Sequence, residues 1–147
     1  MRRTIGVLFV LLSLFAAAGL SAQDSGPPAS SGQANGFQLE QNYPNPFNPE
    51  TTIPFMLGED LFVDGHRAVV SIRIFNLLGQ PVASPVALRH PAGDGATVVQ
   101  LEYAQAGRFE AFWDGTDQSG RQVASGIYLV QLTVNGLSKT LKMFVLK

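Results

Sequence analysis

The most constraining stretch of this sequence is Val134-Asn135-Gly136-Leu137. Both central residues tolerate a positive φ, as a two-residue hairpin turn requires. Before it, Tyr128, Val130, Leu132 and Val134 alternate with other residues as one face of a strand. After it, Leu141, Met143 and Val145 give the returning strand. A chain built around such a hairpin is committed to antiparallel β-structure and must bury that face against further strands.

Other segments supply them. Ile53, Phe55 and Leu57 point one way, as do Val70, Ile72 and Ile74 around Ser71 and Arg73. Phe109, Ala111 and Trp113 alternate with Arg108, Glu110 and Phe112. Weaker runs lie near residues 38–42, 82–88 and 97–103, for about seven or eight strands in all. No sustained helical period and no internal repeat is present. The expected fold is an all-β sandwich. Pro54 has no N–H for a ladder, so its strand is expected at an edge, or with that position presented outward.

The chain opens with Arg2 and Arg3, an apolar run from Ile5 to Ala18, and small residues through Ser21 and Ala22. This is the order of a secretory signal peptide. Cleavage is expected after Ala22, with Ala18 as the alternative because Leu20 is a poor residue at the −3 position. An uncleaved anchor is the competing reading, but the run is short for a span of about 20 residues. No Cys follows it, which excludes a lipoprotein anchor. Removing residues 1–22 leaves 8 basic and 11 acidic residues, so the mature charge is −3 against −1 for the whole chain. That balance offers no basic footprint for nucleic acid or an anionic membrane. Residues 23–36 are Gly-, Pro- and Ser-rich and read as a flexible linker. The folded domain is expected over 37–147.

The 147 residues contain no cysteine, so the core must hold without disulfides, and thiol chemistry is excluded. His66 and His90 both fall in expected loops. No nucleophile elbow, zinc helix motif or phosphate loop is present. Asp114 and Asp117 offer hard oxygens in the loop 114–120, but the spacing does not fit an EF-hand. A turn capped by Asp114 is the simpler reading. Glu59, Asp60, Asp64 and His66 form a further acidic loop, read as loop solvation around an Asp64-Gly65 turn. The expectation is a protein that is not an enzyme and has no cofactor, no resident metal and no small-molecule substrate.

The segment Gln41-Asn42-Tyr43-Pro44-Asn45-Pro46-Phe47-Asn48-Pro49 is the most specific in the chain. Its prolines fix their own φ and keep the preceding residues out of the helical region. The asparagines can bond nearby backbone in Asx-turns. A stiff strap is expected, with Tyr43 and Phe47 anchoring it to the sandwich.

This segment, followed by Thr51-Thr52-Ile53 and Phe55, resembles the start of the type A C-terminal sorting domain of type IX secretion cargo. The related Ig-like domain of flagellar hook-capping proteins shares the pattern. Further resemblances follow in order: Ile74 to Val82 with its Leu-Gly-Gln turn at Gly79, Trp113-Asp114-Gly115 through Gly120, Ser125-Gly126-Ile127-Tyr128, and the Lys-rich segment Lys139 to Lys147. Together they span 37–147. The resemblance implies an Ig-like sandwich with a transport role. The inner-membrane export machinery would carry the chain to the periplasm. The outer-membrane type IX translocon, with its sortase-like peptidase, would then recognise the folded domain and take it to the cell surface or beyond. Only residues 23–36 separate the expected cleavage site from the domain, so no folded cargo is expected. The competing reading is a small surface or periplasmic interaction module with no sorting role.

The residues expected to meet the translocon are Lys139, Lys142, Phe144 and Lys147. An exposed last strand can add to a partner's sheet, while its lysines discourage self-pairing. Lys142 and Phe144 are expected to share its outward face.

Overall fold

The computed structural model describes residues 36–147. The expected signal peptide, and the linker up to residue 35, lie outside the described residues.

Nine strands form two antiparallel sheets: β1 (Phe37–Leu39), β2 (Thr51–Leu57), β3 (Ala68–Asn76), β4 (Pro81–Ala83), β5 (Val86–Leu88), β6 (Leu101–Tyr103), β7 (Gly107–Trp113), β8 (Gly126–Val134) and β9 (Leu137–Val145). The first sheet has the order β1-β2-β7-β5, and the second β4-β3-β8-β9. β6 pairs with β3 beyond the end of β4, through Ala68–Tyr103 and Val70–Leu101. The architecture is an all-β sandwich. The alternating positions read from sequence fill its core: Ile53, Phe55, Leu57, Val70, Ile72, Ile74, Ala111, Val130, Leu132 and Met143 are all nearly inaccessible. Burial of these side chains is the main stabilising term, about 1.5–3 kcal/mol for each large one.

The hairpin forms as expected. Asn135 has φ 49° and Gly136 has φ 87°, and β8 and β9 pair from Val134–Leu137 to Gly126–Val145. Asn135 also holds the neighbouring strand, since its Oδ1 accepts from the Val69 N–H at 2.9 Å.

Three expectations need correction. The 82–88 run is two strands, not one: Ser84-Pro85 carries the chain from the second sheet to the first, because a proline cannot continue the ladder. That split, with β1 and β6 formed as short strands, brings the count to nine. The acidic segment Glu59–Gly65 is not open loop but a 3₁₀ segment interrupted at Val63 and Asp64. Pro54 lies on β2, which is an inner strand between β1 and β7. Its carbonyl accepts from the Glu40 N–H at 3.0 Å, so its nitrogen faces the same side. There β1 ends at Leu39 and pairing resumes only at Tyr43–Thr52. The proline is tolerated because the ladder is broken beside it.

Candidate functional site

The segments from Gln41 to Pro49, around Gly79, from Trp113 to Gly120, and from Gly126 to Tyr128 are far apart in sequence. The register places them at one end of the sandwich, where Thr51 faces Trp113, Asn76 faces Tyr128 and Gly126 faces Val145. Three aromatic rings join them. Phe47 meets Trp113 edge-on with centroids 5.4 Å apart, and Trp113 meets Tyr128 at 5.9 Å. All are buried. The polar ends of the larger two are satisfied: Trp113 Nε1 donates to the Thr116 carbonyl at 2.9 Å, and the Tyr128 hydroxyl to the Ala124 carbonyl at 2.9 Å. Burial raises the Tyr128 pKa.

The strap is held at both sides. Toward the first sheet, Tyr43 and Thr52 exchange backbone bonds at 2.9 Å. Asn42 is buried; its Nδ2 donates to Thr51 Oγ1 at 3.0 Å and to the Pro44 carbonyl at 3.2 Å. Toward β9, the Phe47 N–H donates to the Phe144 carbonyl and its carbonyl accepts from the Leu146 N–H, both at 3.0 Å. Asn45 Oδ1 accepts from the Phe144 N–H at 3.1 Å, and Gln41 Nε2 donates to the Lys142 carbonyl at 3.0 Å. Pro46 and Asn48 stay exposed.

Phe47 is an anchor as expected, but Tyr43 is not. Its ring is 47% exposed, and its hydroxyl donates to Glu110 Oε1 at 2.9 Å. That bond holds the phenolic proton and raises the pKa. The second buried residue of the strap is Asn42, at 2% exposure.

β9 is the edge of the second sheet, but much of that edge is already taken. The strap occupies the outward backbone groups of Phe144, the Lys142 carbonyl and the Leu146 N–H. Strand addition by a partner is left with the stretch around Ser138 and Thr140. The four residues expected to act together also divide. Lys142 and Phe144 stand on the outer face, opposite Leu129 and Ile127 of β8. Lys139 has the other parity; its Nζ donates to the Phe37 carbonyl and lies 4.8 Å from the Phe37 ring centroid. Lys147 follows the strand, and its N–H donates to Ser125 Oγ at 2.9 Å.

The Asp114–Gly120 loop is built by its own carboxylates. Asp114 Oδ1 accepts from the Thr116 N–H at 3.0 Å and from its hydroxyl at 2.6 Å. Asp117 Oδ1 accepts from the Ser119 N–H at 2.8 Å and the Arg121 N–H at 3.0 Å. A 420 Å³ groove runs beside this loop, over Val86, Val99 and Phe112. Among the described residues, no three acidic or imidazole side chains gather around one point. His66 Nδ1 lies 2.7 Å from the Val63 carbonyl. His90 bridges the Glu102 carbonyl at 2.8 Å and the Ala92 N–H at 3.0 Å. Gly79 closes the turn after β3, its N–H donating to the Asn76 carbonyl at 3.0 Å.

Sequence reasoning missed an apolar outer face on the second sheet. Phe75, Leu129 and Lys142 lie in one row across β3, β8 and β9, with Ile127 and Phe144 in the next. Phe144 is 42% exposed, and Leu77 and Leu78 on the adjoining turn are 62% and 83% exposed. The available signal was that β3, β8 and β9 turn apolar residues outward near this end, at Phe75, Ile127, Leu129 and Phe144, where a sheet face left to water carries polar ones.

No family model matches the chain, and no curated protein sequence does. Solved structures are similar to part of the chain at low identity. Dimeric latent PorU from Porphyromonas gingivalis is 19% identical with a TM-score of 0.48, over 75% of this chain and 9% of that one. PorZ, described as a surface component of the type IX secretion system of the same organism, is 22% identical with a TM-score of 0.43, over 80% of this chain and 13% of that one. The DNA glycosylase AlkC of Pseudomonas fluorescens is 13% identical with a TM-score of 0.44, over 76% of this chain and 30% of that one. This chain therefore spans a small part of each, and the likeness is one of fold alone.

Proposed function

We propose that this protein is an exported, non-enzymatic β-sandwich whose motif-bearing end is read as a sorting signal by an outer-membrane type IX translocon. The observation that carries the reading is convergence. Segments that resemble the sorting family meet at one end of the fold, and the strap fastens the last strand there by several bonds. Phe47, Trp113, Tyr128 and Asn42 are buried, so they build this end rather than touch a receptor. What they hold in place is the exposed face of β9, with Lys142 and Phe144.

The test is a reporter inserted between residues 30 and 31 of the full chain, expressed in a bacterium that has the translocon. Reporter on the cell surface is the expected result, and periplasmic retention when the translocon is deleted is its control. Retention with the translocon intact would refute the sorting role and favour a periplasmic interaction module.

A further inference from the structure

We propose that the outer face of the second sheet is a docking surface for a protein partner that presents apolar side chains flanked by carboxylates. The inference deepens the sorting reading and rests on it. Its centre is the cross-strand group of half-buried Phe75, Ile127 and Leu129 with exposed Phe144, extended at its end by exposed Leu78. Contiguous exposed apolar surface is uncommon on monomers and marks contact sites, and aromatic anchors dominate such contacts.

Charge selects the occupant. The charged side chains that β3, β8 and β9 turn outward are Arg73 and Lys142, both cationic and exposed. Neither has an ion-pair partner among the described residues. The carboxylate on this face, Glu102, lies opposite Val69 at the far end and is paired with Arg67 at 3.3 Å. The chain after residue 22 is net acidic even with these two cations counted, with 11 acids against 8 bases. This face is therefore locally cationic, with Arg73 and Lys142 bordering the apolar group on one side. Its complement is an acidic protein surface, and like charges at such a border would exclude wrong partners. An anionic membrane fits less well. Two cations are few for lipid, where each adds only about 1 kcal/mol, and the acidic remainder of the chain opposes approach.

The experiment uses the full chain with the reporter between residues 30 and 31. Surface display is compared for R73Q/K142Q, R73E/K142E, L78S/F144S and the control R89E, whose side chain lies beside Glu110 of the first sheet. All changed positions are exposed, and thermal unfolding of each purified variant checks the fold. Display is expected to fall several-fold for neutralisation and for L78S/F144S, and on the order of tenfold or more for charge reversal. R89E is expected to match the unaltered chain. Should the charge variants unfold, L78S/F144S decides. Undiminished display of the folded variants overturns the docking surface and leaves the sorting reading standing. Equal losses for neutralisation and reversal overturn the acidic partner. Failure of the unaltered chain to reach the surface refutes the sorting reading, and this inference with it. Two further results also overturn it: binding to phosphatidylglycerol vesicles that R73E/K142E abolishes, and a dimer in sedimentation equilibrium that L78S/F144S dissolves.

Discussion

Gly115 packs directly against the carbonyl of Pro49, so that a Cβ at this position would overlap the oxygen of the strap. Gly115 also has φ 77°, a region other residues enter at a cost. Gly120, with φ 78°, has open space around it. Gly115→Ala should therefore lower stability by about 3 kcal/mol or more, because backbone must move. Gly120→Ala should cost only about 1 kcal/mol. Urea unfolding of both variants measures the difference, and equal losses would mean that the strap does not lie against this turn.

Phe47 and Tyr43 should respond very differently to truncation. Phe47→Ala empties a site that is 1% exposed and should cost about 3–5 kcal/mol. Tyr43→Ala removes an exposed ring and one surface hydrogen bond, for a loss of about 1 kcal/mol or less. Chemical denaturation at neutral pH ranks the two.

How far the sequence alone reveals this fold is clear from the same pair. Period-two alternation made the β8–β9 hairpin and the core faces of β2, β3 and β7 readable, since burial there follows parity. The strap follows no period. A rule that sends aromatics inward selects Tyr43, yet Asn42 is the buried neighbour because its amide finds Thr51 and the Pro44 carbonyl. Where the strap docks was also hidden, because its partners on β9 are set by tertiary register rather than by anything near residues 41–49. The division of the 82–88 run between two sheets was signalled by Pro85, which has no N–H to carry a ladder onward. The outer apolar face was visible only as scattered apolar residues at outward positions, and it is the register that joins Phe75, Ile127, Leu129 and Phe144 in one group.

Asn42 and Thr51 should be energetically coupled. Nδ2 of Asn42 donates to Thr51 Oγ1 at 3.0 Å in a buried site, and each single change leaves the other group with the Pro44 carbonyl but without this bond. Asn42→Ala and Thr51→Val should each cost about 1–3 kcal/mol. The double variant should lose less than their sum, by about 0.5–3 kcal/mol. Strict additivity in a double-mutant cycle would show that the bond is not formed.

Tyr103 gives the domain an alkaline limit. Its hydroxyl is buried with no partner among the described residues, among the rings of Phe55, Phe109 and His90. Burial pushes its pKa up to about 12, above the ordinary value of about 10. Between those values the unfolded chain releases the proton and the folded chain keeps it. Stability is thus unaffected below about pH 10 and falls as pH rises toward 12, by up to about 2 kcal/mol. Tyr103→Phe should reduce this slope, leaving the smaller share of Tyr43 and Tyr128, and be neutral or stabilising at pH 7, since no bond is lost. Unfolding followed between pH 8 and 12 in both proteins tests this, and an unchanged slope in the variant would assign it elsewhere.

The bond between Asn45 and the Phe144 N–H spans 99 residues, which gives the strap a temporal meaning. A chain that emerges with its N-terminal end first presents Phe47 early, but the groups that seat it arrive only with residues 142–146. Long-range pairing of this kind forms late, because the loop must close before the contact is rewarded. While the chain is still threading through a pore, the strap has no β9 to grip and the motif-bearing end is unfinished. Closure of the strap therefore records that residue 146 has passed, and a receptor that reads the finished end would engage only chains whose passage is over.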